Sequence, residues 1–329
     1  MLELKPRFEE YIKKIIPESE MQEFLKFCEK PTRKIIRCNT LKISPEKLKK
    51  RLENKGWKIS QPYKTNPEII IIESRLGPGE LGKSIEHQTG LYYVQELSSM
   101  MSPLALLPTK EDYVLDLCAA PGSKTTQMSM MMENSGLLIA NDVKIDRLRA
   151  LVTNLERQGC TNVITTRMDG VQFCVRLKQK GFSFTKILLD APCSGQGVIR
   201  SDNHVWNMFN ENMNKGLSLM QKKLLASCLS ILKPQGVLVY STCTFSPEEN
   251  EEVIQFALDK FPVELEEFEL PLKTREGLTS WKNKTFSPEL KKCKRIYPQD
   301  NDTEGFFVAR LRLSAKIKDF RDTKNQGNF

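Results

Sequence analysis

Two cysteines and one carboxylate are the residues of this sequence best placed to do chemistry. Cys193 lies in LLDAPCSGQG (188–197) and Cys243 in VYSTCTF (239–245). Each follows an apolar run that reads as a core strand, so each thiol comes just beyond a strand's carboxyl end. A structural cysteine sits more naturally inside a strand; one flanked by Pro, Ser, Thr and Gly at a strand end is exposed enough to react. Either cysteine alone is as compatible with packing as with catalysis. Two over one crevice favour catalysis. The reaction that suits a thiolate here is methylation of a pyrimidine: carbon 5 of cytosine becomes nucleophilic once a thiolate has added at carbon 6, and the thiolate leaves afterwards. Asp190, three residues before Cys193, is placed to stabilise the electron-rich ring at N3. A base paired in a helix is out of reach, so the target must be flipped or unpaired.

A second group of residues reads as a cofactor site. In LDLCAAPGSKTTQ (115–127), Ala119, Ala120, Gly122 and Ser123 fall where a strand hands over to a helix, and small side chains there let backbone approach a ligand. The next strand ends in Asp142, twenty residues past Gly122, the spacing at which an acid meets ribose hydroxyls. Asp169 and Asp190 end the two strands after it. One such Asp is usually just a helix cap; a series of them beside a small-residue loop is harder to dismiss. The loop is neither G-x-G-x-x-G nor G-x-x-x-x-G-K-[ST], which disfavours a dinucleotide or triphosphate. S-adenosylmethionine, with adenosine but no polyphosphate, suits it.

The elements that must hold these residues follow from periodicity. From about Ile85, strands and helices alternate, with strands expected at 113–117, 137–142, 162–169, 186–192 and 236–242 and an antiparallel one at 305–311. This is an α/β, Rossmann-like core, mostly parallel, expected over 86–313. Residues 1–85 read as a small basic α+β domain: two helices split by Pro17, a strand at 34–42, a helix at 44–56 capped by Ser44, and a strand at 68–72. GPGELG (77–82) reads as a turn. Residues 314–329 read as a frayed polar tail.

Composition sets limits. The chain has 329 residues, 40% hydrophobic and 28% charged, ordinary for a globular protein of two domains. No apolar run is long enough for a membrane span, and MLELKPRFEE has no signal-peptide core, so a cytoplasmic protein is expected. Nine cysteines without a C-x-x-C pair and two histidines offer neither a metal site nor a disulfide framework. The net charge of +9 is concentrated in residues 1–60, with 16 Lys/Arg against 9 Asp/Glu, which suits a phosphate-bearing partner as well as a merely solvated face.

In these motifs the sequence resembles the Nop/Sun-domain family of RNA 5-methylcytosine methyltransferases, over about residues 30–312. RCNTLK (37–42), GLYYVQELSSM (90–100), DLCAAPGSKTTQ, DAPCSG, STC and RIYPQDNDTEGFFVARL (295–311) all carry the likeness. The resemblance implies that Cys243 is the nucleophile, that Cys193 assists product release, and that Lys124 orients Asp190 or helps activate the base. It implies a cofactor set of Cys118, Ala119, Ala120, Pro121, Gly122, Ser123, Lys124, Asp142, Arg147, Asp169, Gly170 and Asp190. RNA phosphates are expected at Arg37, Asn39, Lys42, Lys47, Lys49 and Lys50. Asn-Asp-Val at 141–143 and GSKTTQ look more like tRNA-modifying members than ribosomal ones. Two departures stand out: Ser123 for a commoner glycine, and Gln299 for a commoner His, which casts doubt on a proton-shuttling role there. The reading is a monomeric, S-adenosylmethionine-dependent RNA cytosine-5 methyltransferase acting on tRNA. Its rivals are a ribosomal RNA enzyme, a DNA cytosine-5 methyltransferase, in which the cysteine after Pro attacks, and a non-catalytic RNA-binding assembly factor.

Overall fold

A computed structural model of the chain describes residues 5–202 and 204–317; most of the expected polar tail, from 318 on, lies outside them. Helices α1 (Pro6–Ile12) and α2 (Glu18–Glu29) are separated at Pro17, which has no N–H to continue a helix. Next come β1 (Lys34–Cys38), α3 (Pro45–Glu53), β2 (Ile59–Ser60), β3 (Ile69–Ile72) and β4 (Tyr92–Val94). The four strands form an antiparallel sheet in the order β2-β3-β1-β4. Ser44 caps α3, its hydroxyl accepting from the Lys47 N–H. Ile70 and Ile72 pack with Leu48, Leu52 and Trp57, whereas Ile69 and Ile71 pack with Met100, Met101 and Val114 of the larger body. Burial on both faces is why the strand reads as an unbroken isoleucine run.

The sheet of the first domain extends beyond residue 85, because Tyr92–Val94 is hydrogen-bonded along β1. Residues 6–29 precede that sheet and pack away from it. Phe8 stacks on Trp206 at 4.7 Å and Tyr11 meets Trp281 edge-on at 5.4 Å, so this helix pair completes the core of the larger body. GPGELG is a turn only as far as Gly79, where a short helix, Glu80–Lys83, begins.

The larger body contains α4 (Met101–Leu106), β5 (Tyr113–Asp116), α5 (Ser123–Met131), β6 (Leu137–Asn141), α6 (Ile145–Gln158), β7 (Val163–Thr166), α7 (Gly170–Gln179), β8 (Phe184–Asp190), α8 (Glu211–Leu229), β9 (Leu232–Thr242) and α9 (Glu251–Lys260). The short strands β10 (Val263–Leu265), β11 (Arg275–Glu276) and β12 (Lys294–Ile296) lead to β13 (Phe306–Leu313). The sheet runs β11-β12-β13-β9-β8-β5-β6-β7, with β10 also on β13; β7 through β9 are parallel and β13 is antiparallel to β9, as expected. The chain winds outward from β5 to β7, then returns to β8 on the other side of β5. The crevice at the carboxyl ends of β5 and β8 is therefore a topological switch point, where open α/β sheets bind ligands.

Candidate active site

The loop after β5 is shaped to bring backbone into this crevice. Gly122 has φ +104°, a backbone conformation that strains any residue with a side chain, and a Cβ there would also push the Leu151 side chain aside, its Cδ1 being 2.7 Å away. The Ala120–Pro121 peptide is cis. Asp142, buried just past β6, holds the loop: its Oδ2 accepts from the Ala120 N–H at 3.2 Å and its Oδ1 from the Lys144 N–H at 3.0 Å. Arg147 lies 3.6 Å from the same carboxylate and donates to the Ala120 carbonyl. Asp169 caps α7 by accepting from the Gln172 N–H at 3.0 Å.

A cleft of about 480 Å³ opens beside these groups. Of the expected cofactor residues, Cys118, Asp142, Arg147, Asp169 and Gly170 line it, with apolar walls from Leu117, Val143, Met168 and Leu219. Ala119 through Ser123 form the loop next to it and do not line it. Lys124 and Asp190 do not line it either and pair with each other instead, with Lys124 in electrostatic reach of Cys243. The cleft suits an adenosine-type ligand. Asp142 has two N–H donors on it, yet a carboxylate has room for about four, leaving capacity for ribose hydroxyls. Asp116, at the end of β5, was not singled out from sequence. It is fully buried, its Oδ2 accepts from Thr125 Oγ1 at 2.7 Å, and its Oδ1 has no partner. Burial pushes this carboxyl up to about 7; the Thr125 bond opposes the rise, and the charge of Asp190 adds to it.

The thiol half of the site is equally compact. The Cys193 and Cys243 sulfurs, both half-buried, lie 3.3 Å apart. Asp190 Oδ2 pairs with Lys124 Nζ at 2.8 Å, and its Oδ1 accepts from Ser241 Oγ at 2.7 Å. Lys124 also donates to Ser99 Oγ at 2.8 Å and lies over the Phe306 ring. Burial alone would lower the Lys124 ammonium, but Asp190 outweighs that and holds its pKa above the ordinary value, so it is charged. The Cys193 thiol is pushed well above the usual range by its bond to Cys243 and by burial, with the charge of Glu249 adding to the rise. Ser99 and Ser241 were missed from sequence, although both lie within motifs that were recognised.

The expected RNA contacts divide. Arg37 and Asn39 are corrected outright, because both are buried in internal bonds. Arg37 reaches across to α5, donating to the Ser123 carbonyl and to Thr126 Oγ1, each at 2.8 Å, and to Gln95. Asn39 donates to the Gly90 and Gln158 carbonyls. Lys42 is exposed along its stem, but its ammonium is taken up by the Thr89 and Arg157 carbonyls, so it too ties segments together. Lys47 and Lys50 are exposed on α3, and Lys49 stands 4.0 Å from Glu53. Gln299 donates to Glu20 of α2, away from the cysteines. Among the described residues no cluster of three or more His, Cys, Asp or Glu is arranged for a metal, and no helix is long and apolar enough to cross a membrane.

A doubly wound sheet with a small-residue loop, an acid after the second strand and a thiol pair beside the cleft defines a Rossmann-like methyltransferase. The chain belongs to the RsmB/F family of RNA methyltransferases: the family described as 16S rRNA methyltransferase RsmB/F matches residues 103–312, and the N-terminal domain of 16S rRNA methyltransferase RsmF matches residues 4–97. It is 41% identical over 315 residues to a tRNA (cytosine(49)-C(5))-methyltransferase of Pyrococcus abyssi, covering 94% of this chain and 99% of that one. It is 40% identical over 326 residues to the ribosomal RNA small subunit methyltransferase F of Vibrio parahaemolyticus, covering 98% of this chain but only 66% of that longer protein. Among solved structures, a methyltransferase homologue from Pyrococcus horikoshii superposes with a TM-score of 0.83 at 37% identity, covering 95% of this chain and 96% of that one. NSun6 from the same organism, solved with the S-adenosylmethionine analogue SFG, gives 0.79 at 26% identity, covering 94% and 98%.

Proposed function

We propose that this chain is an S-adenosylmethionine-dependent RNA cytosine-5 methyltransferase acting on tRNA through a covalent adduct at carbon 6 of a flipped or unpaired cytosine. The observation that carries the reading is the thiol pair, with sulfurs 3.3 Å apart, beside the Lys124–Asp190 ion pair and next to the cofactor cleft. In this reading Cys118, Asp142, Arg147, Asp169 and Gly170 hold the cofactor, and Ala119, Ala120, Pro121, Gly122 and Ser123 shape the loop beside it. When bound, the cofactor supplies an electrophilic methyl group.

Cys243 is the nucleophile. Its neighbour Cys193, pushed well above the usual range, retains its proton, which leaves Cys243 as the attacking sulfur. The sulfur forms a bond to carbon 6, and the electron pair of the 5,6 double bond makes carbon 5 nucleophilic. N3 takes up a proton from the Lys124 ammonium, relayed by Asp190, which Lys124 and Ser241 hold in place. After methylation the carbon 5 proton must leave. A water molecule takes it, its bonding electrons rebuild the double bond, the carbon–sulfur bond breaks, and the Cys193 thiol gives its proton to the departing Cys243 sulfur. Exposed Lys47 and Lys50 contribute phosphate contacts.

The tRNA assignment rests on the relative from Pyrococcus abyssi, which this chain matches almost end to end. A ribosomal RNA target is the second reading, supported by the similarity to methyltransferase F. Bisulfite sequencing of total RNA from cells with and without the gene tests both. Loss of one tRNA 5-methylcytosine is expected; loss only in ribosomal RNA selects the second reading.

A further inference from the structure

Glu249 lies just beyond the Cys243 motif, in SPEEN (246–250), and nothing in the reaction described above uses it. It is completely buried, and its carboxylate is met by neutral donors: the Ser194 N–H at 2.9 Å, the Ser194 hydroxyl at 2.5 Å and the Gln221 side-chain amide at 2.9 Å. Burial accordingly pushes this carboxyl up. A buried acid of this kind costs stability unless its geometry serves some purpose.

The geometry links the two cysteine loops. Ser194 directly follows Cys193, and Thr244 directly follows Cys243. The Ser194 hydroxyl that donates to Glu249 is 2.8 Å from Thr244 Oγ1. Glu249 is itself anchored, because Tyr240 of β9 donates to its carbonyl at 2.6 Å. Gln221 of α8 donates both to Glu249 and to the Pro192 carbonyl, one residue before Cys193. A second tie lies beyond the cysteines. The Gly197 N–H donates to the Cys243 carbonyl at 2.9 Å, and a Cβ on Gly197 would stand 2.3 Å from the Gly305 carbonyl oxygen. Gly197 holds the backbones together, whereas Glu249 reaches from beyond Cys243 to both the N–H and the hydroxyl of Ser194, where the Thr244 hydroxyl also meets it.

We infer that Glu249 is a positioning residue that clamps the Cys193 loop against the Cys243 loop, fixing the sulfur–sulfur spacing on which product release depends. The second half of this inference rests on the proposed role of Cys193; the first half is purely geometric. Without the clamp, Cys243 keeps its place at the end of β9 and can still form the adduct, while Cys193 moves away from the site where the adduct must break down. A misplacement of ~1 Å costs on the order of 100-fold in such a step.

The test uses the full-length protein, Glu249→Gln, Glu249→Asp and Cys193→Ala, with unmodified tRNA transcripts as probe. Two readouts are taken. The first is the yield of the Cys193–Cys243 disulfide under limiting diamide, which takes two electrons and two protons from the thiols; peptide mapping identifies the linkage. The second is methylated RNA that stays attached to protein after denaturation. Both Glu249 variants are expected to show a several-fold lower disulfide yield, with methylated RNA retained as in Cys193→Ala. Glu249→Asp keeps the charge but is one methylene too short, and it decides the matter if the Gln variant does not fold. Unchanged disulfide yield with normal release overturns the clamp, as does an equal loss of methyl transfer and release. If Cys193→Ala itself retains no RNA, the release role assigned to Cys193 has failed, and the disulfide yield alone then decides for or against the clamp.

Discussion

Replacing Arg37 with Met distinguishes an internal brace from an RNA contact at the residue where sequence and structure disagree most. Methionine keeps the apolar stem and removes three hydrogen bonds, to Gln95, the Ser123 carbonyl and Thr126. Bonds from a charged donor contribute roughly 1.5–3 kcal/mol each. Against them stands the cost of burying the guanidinium, whose pKa burial pushes down to about 10, with Tyr93 partly opposing. That shift is worth about 3 kcal/mol. The bonds win, and the expected loss of stability is about 2–5 kcal/mol. Urea unfolding followed by circular dichroism should show a lower midpoint at unchanged slope. Because Ser123 and Thr126 belong to the first turn of α5, cofactor affinity measured by calorimetry should fall as well. A variant within about 0.5 kcal/mol of wild type, the usual scale of a surface change, that instead binds RNA with a flatter salt dependence would refute the bracing argument.

Asp142→Ala should weaken S-adenosylmethionine binding by about 1–3 kcal/mol, measured by calorimetric titration; unchanged affinity would move the ribose contact elsewhere. Asp116 is pushed up to about 7 from 3.8 by burial, so the folded state holds a proton that the unfolded state has lost. Its contribution to stability is therefore present at low pH and is lost as pH rises through about 7. Asp116→Asn should flatten that decline, and thermal melts across the range that keep the wild-type slope would refute it. Replacing Lys47 and Lys50 together should lower RNA affinity and flatten its dependence on salt without changing the modified position; a wild-type slope would leave α3 merely solvated.

The crevice was legible in the sequence because its residues sit at strand ends, and strand ends follow from apolar runs punctuated by Gly, Pro and Asp. Asp142, Asp169, Asp190, Cys193 and Cys243 all come to the carboxyl edge of the large sheet in this way. Lys124 and Asp190 come together because Lys124 lies in the first turn of α5, the helix that follows β5, and β5 is hydrogen-bonded to β8, which ends in Asp190. What sequence could not supply was the direction of a side chain. Arg37 sits in a basic stretch and counts toward its charge, yet it points inward. Tyr92–Val94 is too short to show strand periodicity, which is why the first sheet was ended too early. The helix pair at 6–29 is amphipathic on any reading, and only the structure shows that its apolar face covers Trp206 and Trp281 rather than the small sheet. Glu249 has no strand-end position and no motif spacing; its partners come from Ser194 and from Gln221 on α8, a separation no local pattern reports.

The central claim is that Cys243 forms the covalent bond and Cys193 helps break it. Denaturing electrophoresis of each alanine variant after incubation with unmodified tRNA and S-adenosylmethionine tests it directly. Cys193→Ala should carry a slow-migrating band that nuclease removes, because the adduct forms but cannot be resolved. Cys243→Ala should show no band and no methylation, with cofactor affinity intact. The reverse pattern, with Cys243→Ala trapped on RNA and Cys193→Ala inert, would contradict the account and place the nucleophile in the Ala-Pro-Cys motif.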